Sequence, residues 1–268
     1  MGVKAVMQKY EQDYMKLINN VMLMGTAKQT RNGATKSLFG QQLKIDMTDG
    51  NFPLIQGRKM SYKGILGEFA AIIRGPKCLA DFEKWGCNYW KLWADDNGDL
   101  EVDYGNAWHA DGQYERLIDK LKNDPSDRRM IINGWRPERL DKLSLPCCHY
   151  SYQFCVAEGK LSMVWLQRSV DMMIGLPSDF VLAATWLIVL ANEVGLDPGE
   201  ITMQLGDCHV YEEHWLGAPL YTSSAFQDMP PVSYQLLIPE GVSSKVMTPE
   251  WFALQYESLP VMKFLLKE

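Results

Sequence analysis

The chain has 268 residues, 47% of them hydrophobic and 22% charged, with a formal net charge of −6. That length sustains a core without disulfide or metal staples, and the acidic balance argues against a general nucleic-acid binder. No run of about 18 apolar residues marks a membrane span. The six cysteines, at 78, 87, 147, 148, 155 and 208, form no regular framework and include no CxxC pair. A reducing cytoplasm is therefore the expected setting, and a metal site is not expected. The charged N-terminus does not read as a signal peptide, and Gly2 lacks the Ser or Thr at position 6 that myristoylation requires.

Met7, Tyr10, Tyr14, Leu17, Ile18 and Val21 recur at helical spacing, and Gly25 is a stop. "TRNGATKSLFG" is polar and contains glycine, so it reads as a loop. "FPLIQGRKMSYKGILGEFAAIIRG" passes from a Pro-marked extended piece into a helix whose buried face holds Ile65, Leu66, Phe69, Ile72 and Ile73. Glu68 falls among them, an awkward place for a carboxylate. "WADDNGDLEVDYG" carries an Asn-Gly turn and "KNDPSDRR" an Asp-Pro turn. Short strands are expected at 129–135, 150–156, 161–167 and 201–205, and one more within "MPPVSYQLLIPEG". "DFVLAATWLIVLANEVG" is apolar almost all round and predicts a buried helix ended by Gly195 and Pro198. With no repeats and no linker, one α+β domain over 1–268 is expected.

Four stretches carry candidate chemistry. Cys147 and Cys148 are either two small core residues or include a thiolate nucleophile, which needs nearby positive charge from Arg128, Arg129 or Arg168. Arg168 and Ser169 form either an exposed strand end or an anion clamp. Asp179, beside Pro177 and Ser178, caps a helix or complements its dipole. His209 and Tyr211 face one side of a strand, and His209 with Glu213 has the spacing of a helical metal pair without a third ligand.

Taken together and in order, "TRNGATKSLFG", "FPLIQGRK", "GEF", "WADDNGDL" with "YGNAW", "DPSDRRMII", "LPCCHYSYQF", "LQRSVDMMIGLP" and "GDCHVYEEH" make the chain resemble the thymidylate synthase family over nearly its whole length. The resemblance implies an α+β fold, a mixed sheet packed sheet to sheet in a homodimer, and one-carbon transfer from 5,10-methylenetetrahydrofolate to C5 of a pyrimidine deoxynucleoside monophosphate. Cys148 then matches the nucleophile that adds to C6, leaving Cys147 as packing. Arg31, Gln167, Arg168 and Ser169 match nucleotide ligands, and Arg128 and Arg129 match phosphate ligands reaching in from the partner subunit. Those arginines are also expected to favour the thiolate. His209 and Tyr211 match the pair that holds the sugar 3′-hydroxyl. Glu68 matches the proton-handling acid and Tyr104 the residue implicated in removing the C5 proton. Trp90, Trp93 and Asp171 match the folate pocket, and Arg58 sits where a basic residue meets the folate glutamate tail. No metal, nicotinamide, membrane or nucleic-acid partner is implied.

Where synthases acting on dUMP carry Asn in "GLPSDF", this chain carries Asp179. An amide matches uracil, whereas a carboxyl group accepts from the cytosine N4 amino group and, when protonated, donates to N3. The same Asp, an Arg136-Pro137 pair and the short "WHADGQYERL" segment make the chain similar to phage deoxycytidylate hydroxymethylases. That branch quenches the exocyclic methylene with water. A dCMP methyltransferase releasing dihydrofolate, an ordinary thymidylate synthase and a noncatalytic nucleotide- or folate-binding relative are the alternatives.

Overall fold

The computed structural model describes residues 7–223 and 229–267, and Gly2, whose acylation motif fails at Val6, lies outside them. Helix α1 (Lys9–Met24) buries Tyr10, Tyr14, Leu17, Ile18 and Val21, the face its spacing predicts, and stops where the Gly25 N–H bonds Val21 O. The segment expected as a loop is instead a hairpin of β1 (Thr26–Thr30) and β2 (Gly33–Asp46). Its polarity misleads because β1 is an edge strand with nearly every residue exposed. Gly33, at φ 122°, makes the turn a side chain would strain.

Helix α2 (Tyr62–Ile72) forms as expected and buries Ile65, Leu66 and Phe69 with Glu68 among them. Short helices α3 (Leu79–Glu83) and α4 (Asn106–His109) and the amphipathic α5 (Gln113–Asn123) follow. The four expected strands are β3 (Ile131–Asn133), shorter than the predicted 129–135, β4 (His149–Ala157), β5 (Lys160–Asp171) and β6 (Asp197–Tyr211), the last two several residues longer than predicted. Between β5 and β6 runs α6 (Gly175–Val194). This helix is long and apolar enough to cross a membrane, but 83% of its apolar window is buried inside the fold, so it is the core helix. Trp186 on it stacks on Trp108 at 4.0 Å. Burying each large side chain there contributes about 1.5–3 kcal/mol over exposure. After α7 (Gly217–Thr222), strands β7 (Ser233–Leu236) and β8 (Phe252–Gln255) pair in a small separate sheet.

The main sheet runs β1-β2-β6-β5-β4-β3, and β5 and β6 are its parallel pair, joined by the α6 crossover. This mixed six-stranded sheet with its helices is an α+β architecture. Its topology fixes where chemistry can gather. Parallel pairing brings the C-terminal ends of β5 and β6 side by side, with Asp171 opposite His209. Antiparallel pairing brings the start of β4 to the same end, His149 opposite Gln167, and the start of β2 as well, Thr35 opposite Tyr211.

Candidate active site

A cavity of about 510 Å³ opens at that end of the sheet. Of the residues expected at a site, Arg31, Glu68, Trp90, Trp93, Tyr104, Cys148, Gln167, Arg168, Ser169, Asp171, Asp179, His209 and Tyr211 all line it.

Cys148 lies in the bend immediately before β4. Its N–H donates to the Tyr104 hydroxyl at 2.6 Å, and its carbonyl accepts from Arg168 N at 2.8 Å. Arg168 wraps the same loop, donating from Nε to Cys147 O at 2.9 Å and from Nη2 to Pro146 O at 3.0 Å, with its guanidinium 5.3 Å from the Trp135 ring. The strand carrying Arg168 is met closely by Gly206 of β6, where a Cβ atom would stand 2.6 Å from Arg168 O. Cys147 is 3% exposed and lies outside the cavity lining. The expected lowering of the Cys148 pKa is not reached within one chain. Burial raises it, and the Tyr104 hydrogen bond and the Arg168 charge oppose that rise without cancelling it.

Glu68 projects from α2 into the cavity with both oxygens occupied. Trp90 Nε1 donates to Oε1 at 2.7 Å, and the Tyr89 hydroxyl donates to Oε2 at 2.5 Å. Burial outweighs both bonds and lifts its pKa to about 7. Trp90 is itself fixed by stacking on Phe82 at 4.7 Å.

Asp179 does not cap α6. The helix begins four residues earlier, at Gly175, and its flanking residue Ile174 makes no side-chain cap bond. Instead Asp179 Oδ2 accepts from Gln167 Nε2 at 2.7 Å, while Gln167 Oε1 accepts from Trp165 Nε1 at 3.1 Å. Burial lifts Asp179 to about 8, helped by the charges of Glu68 and Asp171. It is therefore protonated at neutral pH. Because Gln167 donates to Oδ2, the proton belongs on Oδ1. The acid at the helix entry is Asp171, whose Oδ1 accepts from the N–H groups of Met173 at 2.9 Å and Ile174 at 3.3 Å.

His209 Nδ1 donates to Asp207 O at 3.1 Å, which leaves Nε2 as an acceptor. Its ring packs edge-on to Tyr211 at 5.0 Å. The metal-pair alternative fails, because His209 lies on β6 and Glu213 pairs with Lys267.

Three expected site residues stand elsewhere. Arg58 is 6% exposed and does not line the cavity; it donates to Met173 O and stacks on Phe264 at 4.9 Å. It therefore braces the C-terminal tail from within. That tail brings Leu266 and Lys267 to the cavity, and His214 Nε2 lies 3.0 Å from Leu265 O. Arg128 and Arg129 are exposed and absent from their own chain's cavity lining, and Arg129 pairs with Asp127 at 2.9 Å.

Two further residues come into the site unannounced. His149 follows the nucleophile candidate directly. Its ring lies 4.3 Å from Trp165, its Nδ1 is 2.5 Å from the Tyr152 hydroxyl, and its Nε2 is 4.0 Å from Asp179 Oδ1. Burial pushes its pKa down to about 3, so it is neutral. Its position beside Cys148 was the available signal. Tyr89 stands in the aromatic run "NYWKLW", which reads as packing alone.

The aromatic wall suits a flat heterocycle. Trp93 lines the cavity, and its buried Nε1 has no partner among the described residues. The thymidylate synthase family model matches residues 12–263, and the chain belongs to the thymidylate synthase family.

Proposed function

We propose that, within a family of folate-dependent one-carbon transferases acting at C5 of pyrimidine nucleotides, this chain hydroxymethylates dCMP. The observation that carries the choice of base is Asp179. A carboxyl group buried on the cavity wall and lifted to about 8 is protonated at neutral pH. Its O–H donates to N3 of cytosine while its other oxygen accepts from N4. With the proton kept on Oδ1 by the Gln167 bond to Oδ2, uracil in the same pose would set its N3–H against the O–H and its O4 against the accepting oxygen.

Bound methylenetetrahydrofolate supplies the one-carbon unit. The residues of the chain do the rest. Cys148 Sγ forms a bond to C6, which places the electron pair on C5 for attack on the one-carbon unit. Tyr104, hydrogen-bonded at Cys148 N, is placed to take the C5 proton. The electron pair so released breaks the bond between the transferred carbon and the folate nitrogen, so that tetrahydrofolate leaves and an exocyclic methylene remains on C5. The ionised Glu68 takes a proton from water as its oxygen adds to the exocyclic methylene. Loss of Cys148 from C6 as the thiolate then restores the C5–C6 double bond, and the proton held by Glu68 balances the hydroxide added to the methylene. Arg31, Arg168 and Ser169 hold the phosphate, and His209 and Tyr211 hold the sugar 3′-hydroxyl. Trp90, Trp93 and Asp171 form the folate side.

The active unit is a homodimer in which Arg128 and Arg129 enter the partner's cavity. Their exposure on their own chain supports that role, as does the raised pKa of Cys148, which a lone chain's arginine does not offset. One observation favours a dCMP methyltransferase instead: Leu266 and Lys267 of the tail reach the cavity, and such a cover excludes water. Mass spectrometry of products from dCMP and dUMP, run with methylenetetrahydrofolate in ¹⁸O-labelled water, decides. Labelled hydroxymethyl-dCMP supports the proposal. Methylated product, or turnover of dUMP alone, overturns it.

A further inference from the structure

The proposed chemistry needs Glu68 ionised while the water proton is drawn off, yet its setting works against ionisation. It is 8% exposed on an apolar helix. No Lys, Arg or His forms an ion pair with it among the described residues. Two further titratable groups act on this site, the Cys87 thiol just before Tyr89 and the Asp179 carboxyl of α6. Burial raises the pKa of both, so neither carries charge at pH 7. What favours the carboxylate is a pair of donors from consecutive residues, one for each oxygen.

The two donors differ. Trp90 is held in the core by its stack on Phe82, and its N–H can only donate. Tyr89 is half-buried and lines the cavity beside Glu68. Its hydroxyl donates to Glu68 Oε2 at 2.5 Å, and a hydrogen bond of this kind is stronger to a carboxylate than to a neutral acid. A phenylalanine ring at 89 would keep the packing and lose this bond together with the hydroxyl's bond to the Cys87 thiol, a neutral group.

We propose that Tyr89 is a positioning residue for the reaction: its hydroxyl, opposite the Trp90 indole, holds the Glu68 carboxylate in its working rotamer and favours the ionised form. The proposal rests on the catalytic assignment of Glu68. The hydrogen bond lowers a pKa that burial raises, in the same direction as the geometry requires.

The test is kcat and KM for dCMP between pH 5 and 9 in the wild type, Tyr89→Phe and Glu68→Gln, with thermal midpoints confirming that each is folded. Losing one hydrogen bond to a charged group moves the acid limb of kcat upward by about one pH unit. At pH 7 that is a loss of about fivefold, recovering toward pH 9, with KM for dCMP unchanged. An acid limb left in place, whether kcat is unchanged or uniformly lower, overturns the role of Tyr89 provided Glu68→Gln is inactive. If Glu68→Gln keeps both activity and limb, Glu68 is not the titrating group and the assignment beneath the proposal falls instead. Should Tyr89→Phe prove unfolded, Tyr89→Leu, which likewise lacks a donor, serves as the second variant: an acid limb moved upward supports the role, and a limb at the wild-type position overturns it.

Discussion

Glu11 and Glu68 are two buried glutamates whose pKa values are both lifted to about 7 by burial, yet they sit in opposite kinds of place. Glu11, fully buried on α1, accepts from the backbone N–H groups of Gln56 and Gly57 at 2.9–3.0 Å and from the Tyr221 hydroxyl at 2.9 Å. Those bonds pin the 55–58 loop. That loop in turn holds the tail, through Gln56 Nε2 to Glu257 O at 3.1 Å and Leu259 N to Gln56 O at 2.8 Å. Glu68 has two donors and faces the cavity. The difference teaches that a raised carboxyl pKa alone does not mark a site. Access to a cavity with acceptor capacity left over does.

The neighbouring thiols repeat the contrast, and breaking them gives the largest effect. Burial raises both, but only Cys148 lines the cavity. Cys148→Ser should abolish turnover in a product assay while Cys147→Ser keeps most of it. Equal loss in two folded variants would contradict the assignment.

Removing the two glutamates sharpens the comparison directly. Glu68→Gln should cost about 10²–10⁴ in kcat, the range for a lost general acid or base, with the thermal midpoint little changed. Glu11→Ala should do the reverse. It strands three buried donors, which costs about 3 kcal/mol or more, or about 6–12 °C in Tm for a chain of this size, while kcat of the folded protein stays near wild type.

Asp179 stands between these cases, and pH separates its stability effect. Its pKa rises from 3.8 to about 8 on folding, so between those values the folded protein binds more protons than the unfolded chain. The stability it contributes is complete below pH ~4 and is lost as pH climbs to ~8. Asparagine does not titrate. The Tm advantage of Asp179→Asn over wild type should therefore grow from pH 5 to pH 8, and a constant difference would show that Asp179 is ionised in the fold.

Elements with a clear period were legible in the sequence: α1 by its apolar spacing and α6 by its near-continuous apolar run. The β1–β2 hairpin was not, because an exposed edge strand has the composition of a loop. The strand expected at 201–205 runs to Tyr211, since its C-terminal half carries polar cavity residues that break the apolar pattern. Site residues could be placed by motif, but partners could not. That Tyr89 meets Glu68, or that Arg58 turns inward to Phe264, depends on packing between segments far apart in the chain. Asp179 read as a helix cap because the true helix start, at Gly175, is a matter of backbone geometry.

The most direct test of the central claim is kcat/KM for dCMP and dUMP with wild type and Asp179→Asn. A mismatched buried polar group costs about 1–3 kcal/mol, so wild type should prefer dCMP by roughly tenfold to a hundredfold. Asp179→Asn should shift preference toward dUMP, as the amide donates to O4 and accepts from N3–H. A dCMP/dUMP ratio unchanged by the substitution would contradict the account, leaving Asp179 a buried neighbour of Gln167 without a part in choosing the base.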